Sequence, residues 1–305
     1  MIANRHCPVC GGHDLKLKAL SRRPTYYSCN DCGHNFIKLE TENQKEKFAE
    51  AQNQYYGEES ILLDYGLSTF EDEIMRTRFR VLRKFLRQPE KVIEVGPGAG
   101  HVLKWLADSG LQVTAVEHSS TLSSQLASRL NLSVINAEFE THDFGQAAFD
   151  AFCSFHVIEH VSDPLAHLSK ALEIVRPGGL AFIATPNAAS WEQRVAPTLG
   201  PNFDAAHLHI FSPESLTRAC EKIGWEVVLF ETPESASGWA RVLSALVRVV
   251  RKEDASRTAG KYARSPSTII KAVAGIFQLV TVPIRYLQRR LGAGNEIFVV
   301  LRKPN

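Results

Sequence analysis

The chain has 305 residues, 44% hydrophobic and 22% charged, with 35 Lys and Arg against 33 Asp and Glu for a formal net charge of +2. That length exceeds one ordinary domain of about 100–200 residues, and the composition supports a sizeable core, which excludes a single minimal module. The near-neutral total hides an asymmetry: from Trp239 onward there are 13 Lys and Arg against 3 Asp and Glu, so the residues before it carry −8. A basic C-terminal region calls for an acidic partner or a solvated role.

The N-terminus opens Met1-Ile2-Ala3-Asn4-Arg5-His6-Cys7-Pro8, without the apolar core of a secretory signal. A cytoplasmic chain is the expectation, and cysteines there are more often ligands or core residues than disulfides. Four of the six cysteines form two pairs, Cys7-x-x-Cys10 and Cys29-x-x-Cys32, with 18 residues between them. This is zinc-ribbon spacing. Cys7, Cys10, Cys29 and Cys32 are therefore the expected ligands of one structural Zn2+, since a closed tetrahedral thiolate set leaves no open position for chemistry. An iron site or a redox pair are the competing readings. Glycine follows each pair and lets backbone N–H groups turn toward the sulfurs. His6, His13 and His34 flank the site and are expected to be solvated or to lie just outside it. Cys153 and Cys220 lie in apolar segments and are expected in the core.

Residues 1–40 thus read as a zinc ribbon and 41–90 as a helical linker with N-terminal helices. Residues 91–305 read as the main domain, with a helical insertion at 231–294. Phe70 to Leu86 carries apolar residues at near-helical spacing and stops at Gln88-Pro89. Strands and helices then alternate: strands at 91–96, 111–117, 132–136, 149–155 and 179–185, helices at 100–109, 121–130 and 163–175. That alternation predicts a parallel, doubly wound α/β sheet. Ser212-Pro213 starts a further helix, with serine as cap and proline in the first turn, ending at Gly224. Strands at 225–230 and 296–301 follow.

The run Glu94-Val95-Gly96-Pro97-Gly98-Ala99-Gly100 joins the first of these strands to a helix, the corner that binds nucleotides in α/β folds. The third glycine falls one position early for a dinucleotide fingerprint, and no Lys-Ser/Thr ending makes a phosphate loop. Glu117 ends the next strand, 17 residues beyond Gly100, where an acid can accept both ribose hydroxyls. Together with Phe149 to Ser154, His156-Val157-Ile158-Glu159-His160, Val175 to Leu180 and Phe182 to Asn187, this series resembles the class I S-adenosylmethionine (SAM) methyltransferases. The resemblance spans roughly residues 91–230. It implies a Rossmann-like seven-stranded sheet, with the last strand antiparallel beside the strand at 225–230. It implies SAM as methyl donor, with Glu94, Gly96, Gly98 and Gly100 around the methionine half. Glu117 would hold the ribose, Asn136, Ala137 and Glu138 would flank the adenine, and Phe155 would pack on the ligand.

His156-Val157-Ile158-Glu159-His160 also resembles the Glu-x-x-Glu-His segment of ubiquinone-biosynthesis O-methyltransferases, where those side chains can hold a divalent cation. Histidine at the first position is a departure. His156 is a candidate general base, a metal ligand, or one part of an ordered loop. The segment His207-Leu208-His209-Ile210-Phe211-Ser212 resembles the His-x-His-x-Phe-Ser stretch of a large group of bacterial SAM methyltransferases, many of which sit among enzymes for surface glycans, lipids and antibiotics. It makes His207 a second candidate base or a packed loop residue.

Between the last two strands lie about 64 residues, including apolar stretches at Trp239–Val250 and Thr268–Leu287. The uncharged core of the second, Ala272 to Ile284, is too short for a membrane span of about 20 residues. An interfacial helix ending in Arg285, Arg289 and Arg290 on anionic lipid is one expectation, on the inner membrane face. Packing on the domain or a homo-oligomer is the other. The functional expectation is methyl transfer to an oxygen of a small-molecule, sugar or lipid-linked acceptor. Sugar C-methylation, RNA methylation and a non-catalytic SAM-binding scaffold are the alternatives. The ribbon lacks a dense basic and aromatic face, which disfavours nucleic acid.

Overall fold

The computed structural model describes residues 6–18, 25–39, 41–55, 69–88, 90–195, 202–203, 206–236, 238–239 and 268–305. Most of the apolar stretch at Trp239–Val250 and the polar run after it lie outside them.

The main sheet is built from apolar runs bounded by turns. Its strands are β4 (Lys91–Val95), β5 (Gln112–Glu117), β6 (Ser133–Asn136), β7 (Phe149–Phe155), β8 (Val175–Pro186), β10 (Glu226–Glu231) and β11 (Glu296–Arg302). The order is β10-β11-β8-β7-β4-β5-β6. β4 pairs in parallel with β5 and β7, and β7 with β8. β11 inserts antiparallel between β8 and β10, as expected. Ile93, Phe152, Phe182 and Phe298 are fully or almost fully buried, as strands covered on both faces require.

Helices α2 (Thr69–Phe85), α3 (His101–Asp108), α4 (Ser120–Leu130), α5 (Pro164–Ile174) and α7 (Pro213–Ile223) cover the sheet. Each of the last three begins at a side-chain cap: Ser119, Asp163 and Ser212. α2 brings Val81, Leu82 and Leu86 into one cluster with Val92, Phe182 and Phe298. Helix α1 (Glu42–Tyr55) lies in the expected linker, and α6 (Trp191–Val195) follows β8.

The cysteine-bearing module forms β1 (Leu15–Lys18), β2 (Tyr26–Cys29) and β3 (Asn35–Phe36). Its sheet does not end there. β9 (His209–Ile210) pairs antiparallel with β3, with Asn35 opposite Ile210 and Phe36 opposite His209. An open edge of a small sheet is thereby closed by the domain it sits on. Cys7, Val9, Cys29, Cys32 and Phe36 share one buried cluster with Phe211, Leu216 and Trp225. Of the two expectations for His34, the solvated one fails: it is fully buried, stacked on His209 and tilted against Phe211, with its Nε2 3.1 Å from His209 Nδ1. Cys153 and Cys220 are core residues.

Ser212 joins the two parts. Its hydroxyl caps α7 by accepting from Ser215 N at 3.0 Å and donates to Cys32 O at 2.6 Å. Ser212→Ala removes both and is expected to cost about 1–2 kcal/mol of stability, read from denaturant unfolding. A change below about 0.3 kcal/mol would mean that water replaces the cap.

Candidate functional site

Ligands of doubly wound sheets bind outside the carboxyl ends of the parallel strands. A cavity of about 190 Å³ lies there, lined by residues that include Met75 and Arg78 of α2, Glu94, Gly96, Pro97 and Gly98 of the glycine turn, and Phe155. Gly96 and Gly98 have φ of +61° and +53°, a region that disfavours L side chains. A Cβ on Gly98 would meet nothing within 4 Å, so that glycine faces open cavity. A Cβ on Gly96 would come within 2.6 Å of Val157 Cγ2. Gly100 is absent from the lining; it lets α3 approach Leu126 and Leu130 of α4.

Glu94 is 3% exposed, and its Oε2 has no hydrogen-bond partner among the described residues. Burial raises its pKa to about 8, against the nearby charge of Arg78. A buried carboxyl with an orphaned oxygen beside an open cradle fits a cationic ligand group.

Glu117 ends β5 with one oxygen accepting from Ser119 N at 2.9 Å. Asn136 donates from Nδ2 to Glu117 O and His118 O, 2.9 Å each, which ties the ends of β5 and β6 together. Asn136 and Glu138 are exposed there and Ala137 half-buried. The structure thus gathers Glu117, Asn136, Ala137 and Glu138 at one edge, while Glu94, Gly96, Gly98 and Phe155 surround the cavity.

A chain of charges starts from Arg78 in the cavity wall. Arg78 Nη2 donates to Glu296 Oε2 at 2.9 Å in a buried ion pair. The same oxygen lies 2.8 Å from His156 Nε2, and His156 Nδ1 lies 3.1 Å from Glu159 Oε1. Thr185 Oγ1 donates to Glu159 Oε2 at 3.0 Å. Burial alone would lower the His156 pKa, but the bonds to Glu159 and Glu296 outweigh it and raise it to about 9. Burial opposes ionisation of Glu159 and Glu296 too, yet His156 and Arg78 hold both near 2. His156 is therefore a cation at neutral pH with both ring nitrogens engaged. Its backbone sits at φ +58°, and its side chain keeps 42% exposure on the open side.

Next to this chain, His160 Nδ1 is 2.8 Å from Ala206 O, and His207 Nδ1 is 2.8 Å from Asn202 O. A carbonyl only accepts, so each Nδ1 carries the proton and each Nε2 is the basic nitrogen. The two rings meet edge-on at 4.7 Å. The ligating atoms of Glu159, His160 and His207 all lie within 4.8 Å of one another. At the ribbon, the Sγ atoms of Cys7, Cys10, Cys29 and Cys32 likewise lie within 4.8 Å, with separations of 3.7 Å for Cys7–Cys32 and 3.6 Å for Cys10–Cys29.

A methyltransferase domain family matches residues 68–229, more than half of the chain. The chain belongs to that family. A probable S-adenosylmethionine-dependent methyltransferase of Mycolicibacterium smegmatis is 25% identical over 137 residues, 45% of this chain and 52% of that one. A ubiquinone biosynthesis O-methyltransferase of Rhizobium leguminosarum is 31% identical over 135 residues, 42% of this chain and 48% of that one. The chain spans about half the length of these curated relatives. A SAM dependent methyltransferase from Archaeoglobus fulgidus has a crystal structure with a TM-score of 0.51 at 18% identity, covering 76% of this chain and 94% of that one. At that identity the likeness is one of fold. The ribbon and Glu296 both lie outside the matched segment of the methyltransferase domain.

Arg78, Thr185 and Glu296 were not candidates on sequence. Glu296 carried one signal, as the last acid of a basic region, opening an otherwise apolar strand.

The pH dependence of the charge chain follows from its pKa values. His156, raised from 6.5 to about 9, stabilises the fold fully below pH 6.5 and loses that contribution as pH rises through about 9. The stability difference between wild type and His156→Asn is expected to be largest near pH 6 and to shrink toward pH 10 in thermal unfolding. A difference constant over that range would refute a charged His156.

Proposed function

We propose that the protein transfers the methyl group of SAM to an oxygen of a small, sugar or lipid-linked acceptor, with His207 as the base. The observation that carries this reading is the pairing of a cationic-ligand cradle at Glu94 and Gly98 with a histidine whose Nε2 is its basic nitrogen. When bound, SAM supplies an electrophilic methyl on a sulfonium, and positioning does much of the rest. Glu94 would take the methionine ammonium, Glu117 the ribose, Asn136, Ala137 and Glu138 the adenine edge, and Phe155 the apolar side. His207 would accept the acceptor hydroxyl proton at Nε2. Glu159, with a carboxylate oxygen within 4.8 Å of a ring nitrogen of His207, would stabilise the imidazolium formed. His156 suits base work less than the sequence alone suggests, because its nitrogens are held by two carboxylates. It would instead fix Glu159 and Glu296.

A second reading of the same cluster is a divalent cation held by Glu159, His160 and His207. Both histidines direct their Nδ1–H at a backbone carbonyl, the support that metal-ligating imidazoles usually have. Oxygen as the acceptor atom draws support from the relatives that are named O-methyltransferases. The ribbon cysteines would hold a structural Zn2+: sulfurs about 2.3 Å from zinc in a tetrahedron stand about 3.8 Å apart, close to the separations found. Gly12 N also donates to Cys10 Sγ at 3.4 Å.

Glu117→Ala is expected to weaken SAM binding by about 1.5–3 kcal/mol, and Gly98→Val to abolish it, in calorimetric titration. Unchanged affinity in both folded variants would sink the cofactor site. His207→Ala is expected to keep SAM affinity and lower kcat by about 10²–10⁴. The assay is transfer from methyl-labelled SAM into lipid, aqueous and RNA fractions of a cell extract. Label in RNA would overturn the acceptor reading, and loss of transfer on chelation with SAM affinity kept would favour the divalent cation.

Zinc has its own test. Elemental analysis is expected to give one zinc per chain, lost in the Cys29→Ser, Cys32→Ser double variant. That variant should lose methyl transfer before SAM binding, because the ribbon holds the loop of His207. Protein purified without zinc yet fully stable would refute the ribbon site.

A further inference from the structure

Helix α8 (Thr268–Arg290) is built the wrong way round for a helix lying on a soluble domain. Its polar residues face inward. Thr281, Arg285 and Gln288, spaced four and three apart, are 7%, 7% and 8% exposed. The Arg285 guanidinium is consumed there: Nε donates to Thr281 Oγ1 at 3.1 Å, Nη2 to Gln278 O at 2.8 Å and Nη1 to Glu234 O at 3.3 Å. Gln288 Oε1 accepts from Trp239 Nε1 at 3.1 Å, and Arg289 pairs with Glu231. These contacts correct the expectation that Arg285 and Arg289 reach toward lipid.

The opposite face is apolar and open. Ile276, Val280, Ile284, Leu287 and Leu291 recur at helical spacing and are 64%, 70%, 49%, 57% and 67% exposed. Leu279, at 74%, lies beside them. Scattered exposed apolar residues need no explanation, but a contiguous stripe of this kind marks an interaction surface. The segment Thr268–Arg290 contains Lys and Arg and no Asp or Glu. Arg290 is exposed at the C-terminal end, with its guanidinium 5.7 Å from the centre of the Tyr286 ring, at the border of the apolar stripe. An apolar face bordered by Arg290 and free of acids complements an anionic lipid surface, with the acyl region below and the phosphates above. Among the described residues no helix is long and apolar enough to cross a membrane, so such a helix would lie on the surface.

Its position connects it to the site. α8 packs against α2, whose Met75 and Arg78 line the cavity. Its C-terminal turn is held by Asn187, just past β8, whose Nδ2 donates to Gly292 O at 3.0 Å and Gly294 O at 2.7 Å. Two residues later Glu296 enters the charge chain.

We infer that α8 docks the protein on an anionic membrane through the Ile276–Leu291 stripe and Arg290, which sets the cavity mouth at the bilayer surface. A lipid-linked acceptor would then reach the site without leaving the membrane, a consequence that rests on the methyl-transfer reading, whereas the docking does not.

The test is flotation of the full chain with vesicles of phosphatidylcholine, with and without phosphatidylglycerol, at physiological salt. Wild type is expected to float with the anionic vesicles and several-fold less with the neutral ones. Val280→Glu combined with Leu287→Glu should reduce flotation at least tenfold, and Arg290→Gln several-fold. Both variants should keep the wild-type melting temperature, since all three side chains are exposed. Wild type that ignores anionic vesicles overturns the inference. So does a wild-type dimer in solution that the double variant turns into monomer without any flotation, which would give the stripe to a second copy. Flotation that persists in a protein unable to bind SAM would leave the docking standing and remove the methyl-transfer reading instead.

Discussion

The site depends on one line of charge, buried except at His156, from Arg78 through Glu296 and His156 to Glu159 and Thr185. Its members come from α2, β11, the turn after β7 and β8, up to 218 residues apart in the chain. Ions taken out of water cost several kcal/mol each unless their partners are well placed, and removing one member leaves the next as an unpaired buried charge. The line therefore works as an all-or-none lock. Only when α2, β11 and the β7 turn are all in place does each carboxylate find its cation. That requirement explains why a histidine, with two donors when protonated, occupies the position at φ +58°. It bridges two carboxylates that would otherwise repel each other.

The ribbon solves a different problem, which is holding the loop that carries His207. Tyr26 donates its hydroxyl to His207 O at 2.8 Å, Ile37 N to Leu208 O at 2.8 Å, and Ser212 to Cys32 O. A loop pinned by three bonds to a neighbouring sheet loses much of the freedom that would blur a catalytic geometry. The small sheet gains as well, because β9 covers the edge of β3. A cation among the four sulfurs would thus act on the acceptor side of the site from outside it, through backbone rather than through chemistry.

What could be read in the sequence was whatever short-range patterns determine. Apolar runs ending in Gly96 or Glu117, the cap at Ser212 and the paired cysteines located the sheet, the corner and the ribbon to within a few residues. The pairings between distant segments were not legible. β9 is two residues long and exists only because β3 offers it an edge, so no periodicity could announce it. Arg78 looked like one more charge on a basic helix, since nothing local distinguishes an arginine aimed at a carboxylate 218 residues away. His34 seemed a solvated neighbour of the cysteines for the same reason. Helix α8 shows the limit most clearly. Apolar periodicity places one side of a helix apart from the other, but it does not say which side meets the protein. Here Arg285 and its inward partners decided it.

The segments outside the matched methyltransferase domain share a location. The ribbon, seated on β9 of that domain, braces one side of the carboxyl edge of the sheet, while α8 and Glu296 close the other. Folds of this kind host many reactions on one framework, and the differences reside in what is added around the site. The central strands and the glycine turn carry the features common to a nucleotide-type pocket. One of the additions, α8, packs against α2, which lines the cavity, and turns an apolar face outward. The base proposed at His207 lies inside the matched domain, and the ribbon holds its loop from outside it.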